Sequence, residues 1–596
     1  MGLSKITEIG EIDSINGNIV SVKMYDNQKS NIPIIDGIVY KIGQLGSFLK
    51  VPLGYTNLYG IVTQVGADAI PEKLKDISKI DYKKFLSIVL VGEQTGKKFE
   101  RGITQFPTPG DNVHLVTIKD LEIIYGGYSE ANSIVVGSIS ASESLSARID
   151  IDKLISRHCA ILGSTGSGKS NSVAIILEAL AEKGFKSARI LVIDPHGEYS
   201  ETFKDKCEVF KINAKKEEKS LFIPFWALPF DQLLEIFPHK LLDSARDYFR
   251  QRVLECKINS NNKNGYGTSE EALTVDSPIP FSINQLWGEL DTIERKTFED
   301  QNRTIEALVE EGDFENLKSK KYKPGSATNT APYFNPQRQG ILYFTDGIRS
   351  RIKDNRYSFL FKPGDYKPDS KGTCNKDLNN ILIEWIGGNK PITILDLSGV
   401  PNEILQTISG TLLKVTFDAL FWGQNLNIGG REQPLLIVLE EAHNYLKAGE
   451  NSISSTTVQN ISKEGRKYGV GLMLVTQRPS ELDETVLSQC GTMVALRMNN
   501  SKDRGHIKSA IQDELQTMVD LLPSLRTGEG IISGEAVKIP SRIKFNKVSN
   551  APKSTDPKAS EKWLHEKKDI EKEYQTLINL WRNQQFNLEE EKNENT

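Results

Sequence analysis

The chain has 596 residues, of which 38% are hydrophobic and 26% charged, and its formal net charge is −4 at neutral pH. This length suffices for three or four domain-sized units, and the composition is that of an ordinary globular protein. The acidic balance argues against a broad basic surface for nucleic acid, although a few cations on each subunit of a ring would be multiplied by symmetry.

Neither secretion nor membrane insertion is indicated. The first residues, MGLSKITEIGEIDSINGN, lack the basic segment and apolar run of a secretory signal. No stretch reaches the roughly 18 continuous apolar residues of a membrane helix. The five cysteines are widely spaced and form no C-x-x-C pair, which argues against disulfides and zinc. We therefore expect a cytoplasmic protein with no membrane partner.

Residues 1–135 contain short alternating apolar runs separated by Gly, Asp and Asn. This pattern is typical of antiparallel strands joined by tight turns, and it predicts a small N-terminal β-barrel. The runs are NIVSVKMY, GSFLKVPL, LYGIVTQV, DNVHLVTI and SIVVGSI.

After residue 136 the runs become nearly continuous in apolar residues, end in glycine or acidic residues, and precede helical stretches. Such runs predict a parallel sheet that helices cover on both faces. We place this core in residues 136–224 and 386–550, so the predicted fold class is α/β. The six runs are HCAILGSTG, ARILVIDPHGEY, ITILDLSG, PLLIVLEEAH, VGLMLVTQRP and TMVALRM.

Two further segments do not belong to this sheet pattern. Residues 225–385 are rich in charge and helical in pattern, as in FDQLLEIFPHKLLDSARDYFRQRVLE, and they predict a helical insertion between two strands. Residues 551–596 predict one charged helix followed by an acidic tail.

The strongest local signal is GSTGSGKS at residues 163–170, a complete G-x-x-x-x-G-K-[ST] phosphate loop between a β-prone run and a helical one. The glycines let backbone N–H groups close around phosphate oxygens, Lys169 reaches the β- and γ-phosphates of ATP, and Ser170 places its hydroxyl on Mg²⁺. A chance glycine-rich turn is the alternative, and the strand–loop–helix context argues against it. The predicted nucleotide-binding residues are Gly163, Ser164, Thr165, Gly166, Ser167, Gly168, Lys169, Ser170 and Asn171.

Two carboxylates follow the apolar run LLIVL, at the strand end where ligands lie in such sheets. We expect Glu440 to join Ser170 in holding Mg²⁺, and Glu441 to orient and deprotonate the attacking water. The alternative is an ordinary helix start with two acids. The metal-side position is usually Asp in this class, so Glu440 departs from the pattern.

Further polar residues lie near predicted strand ends. Gln477 could sense the γ-phosphate, or it could be an ordinary polar residue before Pro479. Transition-state charge is often stabilised by an arginine from a neighbouring subunit, and Arg466 and Arg157 are the candidates, with Arg542 a weaker third. A solvated ion pair is the alternative for each arginine.

The segment Asp194-Pro195-His196-Gly197-Glu198-Tyr199 closes another apolar run beside the phosphate loop. Its two carboxylates and imidazole could face the nucleotide or a neighbouring subunit. A single histidine is more often structural than catalytic, so we assign no role to it from sequence.

These segments together resemble the HerA-type ATPases of the HerA/FtsK superfamily. The resemblance covers most of residues 1–545 and leaves the middle of the insertion and the tail unmatched. The phosphate loop is shared by many families, whereas DPHGEY, LEEAH and EGRKYG with this barrel are more specific. The similar segments, in chain order, are GQLGSFLKVPLGY, GIVTQVG, GSTGSGKS, DPHGEY, FIPFWALPFDQLLEIF, LEEAHNYL, KEGRKYGVGLMLVTQRPSELD and GEAVKIPSRI.

The resemblance implies a RecA-like ATPase core in a homo-hexameric ring, with ATP bound between subunits and duplex DNA in the central channel. It also implies a partner enzyme docked through the barrel, either a NurA-like nuclease or a sirtuin-like or other effector of antiviral defence. The motifs and this resemblance favour an ATP-driven DNA translocase or helicase. Two alternatives stay open: an ATP-regulated scaffold that activates its partner, and a membrane-associated DNA pump, against which the lack of a membrane segment counts.

Overall fold

A computed structural model gives the structure of the chain. It describes residues 7–25, 34–35, 38–39, 43–66, 84–212, 214–215, 218–328, 330–449, 452–511, 516–553, 559–564 and 570–584.

The N-terminal runs form a closed antiparallel barrel, as predicted. Closure arises because the strand Ile19–Met24 pairs with both the first strand and Phe85–Thr95. Alternate side chains point inward and form a small aliphatic core, as a period of two requires. The six strands, in order around the barrel, are Ile19–Met24, Glu8–Asn16, Asn112–Leu115, Phe48–Leu53, Thr56–Val65 and Phe85–Thr95, and Lys98–Arg101 extends the last.

A twelve-stranded sheet forms the centre of the molecule, and its parallel part contains the six predicted runs as buried strands. The strand Cys207–Lys211 was not predicted, because it lies toward the sheet edge and is only partly buried, so its sequence CEVFK carries no continuous apolar run. The parallel strands, in sheet order, are Thr492–Leu496, Cys159–Leu162, Val470–Thr476, Leu435–Leu439, Arg189–Asp194, Ile392–Asp396, Cys207–Lys211 and Lys219–Ser220.

Four antiparallel strands continue this sheet beyond Thr492–Leu496, and one of them corrects the sequence interpretation. The run SIVVGSI was predicted to belong to the barrel, but Ser133–Ile139 pairs with core strands instead. Its alternation correctly indicates an antiparallel strand, but alternation does not specify which sheet a strand joins. The four strands, in sheet order, are Glu529–Gly534, Ser541–Phe545, Ser133–Ile139 and Ser142–Asp150.

Helices cover the sheet, and the segment between Lys219–Ser220 and Ile392–Asp396 contains α-helices joined by loops and short strands. Its buried aromatic side chains, including Trp226, Phe249 and Trp287, belong to the same hydrophobic core as the sheet. The helices of this segment are Phe230–Ile236, Asp243–Asn264, Ile283–Arg295, Leu342–Lys353, Ser358–Phe361 and Leu378–Ile386. The other helices are Ile118–Tyr125, Ile151–Ser156, Lys169–Glu182, Leu405–Trp422, Ile453–Glu464, Glu484–Ser488, Ser501–Ala510, Gln516–Val519, Ala559–Lys562 and Ile570–Asn583.

One helical stretch, Asn402–Trp422, is long and apolar enough to cross a membrane by length and composition. Its apolar window is 61% buried inside the fold, and its helix contacts Ile453–Glu464. These contacts are those of a helix buried against other helices of the fold. The predicted acidic tail lies outside the described residues.

Candidate functional site

The predicted phosphate loop joins the strand Cys159–Leu162 to the helix Lys169–Glu182, as its sequence context requires. Gly166 and Gly168 have φ values of 72° and 99°, which side-chain-bearing residues rarely adopt. A Cβ on Gly163 would lie 2.6 Å from the Ser167 hydroxyl oxygen, so the loop closes too tightly for a larger residue there. The Ser167 hydroxyl is fully buried and has no hydrogen-bond partner within the described residues. The loop therefore forms a tight polar cradle at a helix N-terminus.

Neighbouring strand ends hold this loop in place. The N–H of Gly163 donates to the carbonyl of Thr476, and both the N–H and the hydroxyl of Ser164 donate to the carbonyl of Arg497. The Arg497 guanidinium donates to the carbonyl of Gly166 at 3.2 Å. Because these partners lie on the two strands adjacent to Cys159–Leu162, the core sheet itself fixes the shape of the cradle.

Lys169 lies between the two predicted carboxylates. Its Nζ is 2.8 Å from Oε1 of Glu441 and 3.4 Å from Oε2 of Glu440, and all three side chains are at least nine-tenths buried. Burial lowers the pKa of Lys169, but the charges of Glu440 and Glu441 outweigh it and raise the pKa overall. The lysine is therefore a charged ammonium, and in this structure carboxylates surround it.

Glu441 occupies a strained position at the end of its strand. Its φ of 47° is left-handed, a conformation that costs about 1–3 kcal/mol for a residue with a side chain. Burial raises its pKa, but hydrogen bonding to His443 and the charge of Lys169 outweigh this and lower it to about 2. The Nδ1 of His443 lies 3.3 Å from Glu441 Oε2 and 3.0 Å from Thr476 Oγ1. Glu441 is thus an ionised carboxylate whose orientation is set by its left-handed backbone and by the contact with His443.

Glu440 is engaged with the protein through both of its carboxylate oxygens. Oε1 accepts a hydrogen bond from the hydroxyl of Tyr199, and Oε2 is within reach of Lys169 Nζ and of the N–H of Glu441. Burial raises its pKa, although the charge of Lys169 opposes the shift. The structure does not bring Glu440 to the hydroxyl of Ser170.

The carboxylate that does reach Ser170 is Glu198. Oγ of Ser170 donates to Oε2 of Glu198 at 2.8 Å. The turn that presents Glu198 is organised by Asp194, whose carboxylate accepts the N–H groups of His196, Gly197 and Tyr199. Burial, with help from nearby carboxylates, raises the pKa of Asp194 to about 7.

Gln477 lies at the phosphate loop, as predicted. Its Oε1 accepts a hydrogen bond from the Thr165 hydroxyl at 2.6 Å, so the amide touches the loop tip. It follows the strand Val470–Thr476 and connects this strand end to the cradle.

Two of the three candidate arginines, Arg466 and Arg157, do not lie at this site. Arg466 and Arg157 precede the strands Val470–Thr476 and Cys159–Leu162, whereas the phosphate loop follows the second of these. A seven-residue strand spans about 20 Å, so both arginines are at the opposite edge of the sheet. Arg157 Nε is 3.4 Å from Glu535. Arg542 lies toward the phosphate-loop edge instead: it donates to Glu529 at 2.6 Å, next to Gly528, whose N–H donates to the carbonyl of Ser167.

Arg466 lines an open cleft of about 680 Å³ at that opposite edge. Three further cations line the cleft, namely Arg431, Lys463 and Lys467, together with the single carboxylate of Asp152. Arg466 is exposed and makes no ion pair within the part of the chain that the structure describes. The cleft is therefore a positively charged opening suited to an anion that comes from outside the chain.

Sequence reasoning missed the contacts of Tyr199, Glu198 and His443 with the site. Tyr199 and Glu440 are 241 positions apart, so no local pattern connects them. The usable signal is the DPHGEY segment, although the sequence alone assigns no partner to its acids.

Comparison with known proteins identifies related chains. Residues 134–415 match the family described as "Helicase HerA, central domain", and residues 392–594 match "Helicase HerA-like C-terminal". The chain is 25% identical over 525 residues to the DNA double-strand break repair helicase HerA of Sulfolobus acidocaldarius, covering 86% of this chain and 90% of that relative. It is 26% identical over 553 residues to the protein of the same name from Sulfurisphaera tokodaii, covering 89% and 94%.

Solved structures also include similar chains. VirB4 of Thermoanaerobacter pseudethanolicus aligns with 71% of this chain and 99% of its own at 14% identity, with a TM-score of 0.45.

Proposed function

Because this chain belongs to the HerA helicase family and is an ATPase of that family, we propose that it is a motor that translocates on duplex DNA as a ring of identical subunits. The observation that carries the ATPase assignment is the position of Lys169, buried beside a complete phosphate loop and between two carboxylates. The DNA assignment rests on relatives that are named as DNA repair helicases and align over most of their length.

The contacts of Lys169 suggest how ATP starts the reaction. In this structure Lys169 Nζ lies 2.8 Å from Oε1 of Glu441 and neutralises it. Phosphate oxygens in the loop would draw the ammonium toward themselves, because they carry more negative charge than one carboxylate. Glu441 would then be free to hydrogen-bond to the attacking water and accept its proton. Gln477 is the proposed sensor of the γ-phosphate, and its hydrogen bond with Thr165 of the loop supports this role.

The residues at the loop fit a magnesium ion. Mg²⁺ prefers oxygen ligands and usually keeps several waters, with one or two protein groups and the substrate phosphates completing its shell. The hydroxyl of Ser170 and the carboxylates around it are ligands of this kind. Bound Mg²⁺ would neutralise charge that develops on the phosphates during transfer.

A ring is required if the basic cleft is to act on ATP. Arg466 and Arg157 cannot reach the nucleotide of their own chain across the sheet, but a neighbouring subunit could present its phosphate loop to this edge. Arg466 would then stabilise the transition state in trans. We propose six subunits, as in the family resemblance.

The barrel is the proposed docking site for a partner enzyme, a nuclease or a defence effector. It carries apolar side chains that its own core does not cover: Tyr55 is 99% exposed at a hairpin tip, and Phe106 and Leu45 are 52% and 47% exposed. Exposed aromatic residues of this kind are enriched in protein interfaces.

The motor is tested by three measurements on the purified chain. Long duplex DNA should raise ATP turnover several-fold, DNA affinity should fall steeply with salt, and a triplex strand should be displaced only with hydrolysable ATP. Lys169→Ala should abolish turnover and displacement, whereas Lys186→Ala, at an exposed loop lysine, should leave both unchanged.

The scaffold alternative predicts a different pattern. DNA would leave the ATPase rate unchanged, no strand would be displaced, and a partner enzyme would still be activated by Glu441→Gln protein. Those three results together would refute the motor.

A further inference from the structure

The hydrogen-bond partner of Ser170 indicates which carboxylate faces the magnesium position. In a phosphate-loop site this hydroxyl is a metal ligand, so a carboxylate bonded to it stands at the edge of the metal shell. Here that carboxylate is Glu198, at 2.8 Å, and it is supplied by the strand Arg189–Asp194 rather than by the strand that ends before Glu440.

Glu440 is held away from this position. The Tyr199 hydroxyl donates a hydrogen bond to Oε1 of Glu440, and Lys169 Nζ lies 3.4 Å from Oε2. The side chain of Glu440 is 4% exposed. A carboxylate with both oxygens bonded inside the protein must break buried hydrogen bonds before it can turn to a metal, at about 1.5–3 kcal/mol for each bond to a charged group.

The turn that carries Glu198 is rigid enough to hold this carboxylate at the metal position. Three backbone N–H groups converge on Asp194, and Gly197 adopts a φ of 69° against the side chain of Asp396. The carbonyl of Glu198 accepts the N–H of Lys553, so the turn is fixed from its other side too. Glu198 itself is only half-buried and can approach solvent and the waters of an ion.

We infer that Glu198, together with Ser170, holds the hydrated magnesium ion, and that Glu440 instead positions Lys169 and the backbone of Glu441. This rests on the proposed ATPase function but not on DNA translocation. It revises the sequence prediction of Glu440 as the metal ligand, and it explains why a longer Glu stands where Asp is usual. The longer side chain reaches the Tyr199 hydroxyl.

The test measures binding of ATPγS to the full-length protein, with and without Mg²⁺, by equilibrium fluorescence competition. Wild type should bind about tenfold more tightly with Mg²⁺. Glu198→Gln should keep the magnesium-free affinity within twofold, which shows an intact site, and should lose most of the gain from Mg²⁺. Glu440→Gln should change the magnesium-free affinity, because Lys169 moves, but keep the gain.

Glu182→Gln is the matched control, since Glu182 is exposed, pairs with Lys206 and lies at the far end of the helix Lys169–Glu182 from the site. It should behave as wild type. Mn²⁺ in place of Mg²⁺ gives a second readout: the relaxation enhancement of water protons by bound Mn²⁺–ATPγS should change in Glu198→Gln and stay unchanged in Glu440→Gln.

A full magnesium gain in Glu198→Gln together with its loss in Glu440→Gln would overturn the inference and restore Glu440 as the metal ligand. Wild-type binding that does not depend on Mg²⁺ would overturn it as well. Failure of DNA translocation with the expected magnesium pattern would refute the motor and leave this inference intact.

Discussion

Glu441→Gln separates nucleotide binding from chemistry, and the contacts of Lys169 determine the size of both effects. The amide keeps the shape of the carboxylate but cannot accept the proton of the attacking water. General-base catalysis contributes about 10²–10⁴ in rate, so hydrolysis should fall at least about 100-fold, equivalent to roughly 2.7 kcal/mol.

Binding should change in the opposite direction. In the proposed mechanism, ATP competes with Glu441 for Lys169, whose Nζ is 2.8 Å from Oε1 of Glu441. A charge-assisted hydrogen bond is about twice as strong as a neutral one, so replacing the carboxylate by an amide weakens the competing contact by about 1 kcal/mol. We therefore expect ATP to bind about fivefold more tightly to the Gln variant.

The assay combines single-turnover hydrolysis with equilibrium binding of a fluorescent ATP analogue, and Glu440→Gln serves as the comparison. Hydrolysis of Glu441→Gln within threefold of wild type, with Glu440→Gln inactive, would show that the two carboxylates have been assigned in reverse. Weaker binding in Glu441→Gln would refute the competition for Lys169.

Three further perturbations test separate parts of the structure. Arg466→Ala and Lys169→Ala proteins should each be inactive, yet mixing them should restore part of the ATPase rate. In the mixture, some interfaces between subunits contain both an intact Arg466 and an intact Lys169. No recovery at any mixing ratio would exclude Arg466 as the arginine that acts in trans. His158 accepts the N–H of Leu472 at Nδ1, and burial lowers its pKa, so the unfolded chain takes up a proton below pH 6.5 that the folded chain does not. Stability should therefore fall by up to about 1.4 kcal/mol per pH unit below 6.5, and His158→Gln melting curves at pH 7.5 and 5.5 should show a smaller difference than wild type. Tyr55→Glu should abolish partner capture in a pull-down while ATP turnover stays within twofold, and retained capture would place the partner elsewhere.

Patterns confined to one segment of sequence were predictable. The loop GSTGSGKS and the six apolar runs could each be predicted from their own residues. Loop geometry and strand burial depend mainly on residues that are neighbours in sequence. The barrel followed from alternation in the same way. The helical character of the residues between the two halves of the core followed from charge-rich periodicity.

Pairings between distant segments were not predictable from such patterns. The run SIVVGSI has the alternation of any antiparallel strand, and its membership of the core sheet depends on contact with residues 541–545, about 400 positions away. The contact of Tyr199 with Glu440 is of the same kind. Sequence could place acids at adjacent strand ends, but it could not show which acid meets which partner, because that choice depends on side-chain length and on the turns that follow the strands.

In the proposed ring, the division of the site between two sheet edges would link ATP turnover to assembly. One edge carries the phosphate loop, Lys169 and Glu441, and the other carries the basic cleft about 20 Å away. The segment after the last strand crosses near the first edge, where the Asn171 side chain donates to the carbonyl of Asn546 and the N–H of Lys553 donates to Glu198. An isolated subunit would lack the arginine that we propose acts in trans, and we expect it to hydrolyse ATP slowly even when nucleotide saturates the loop.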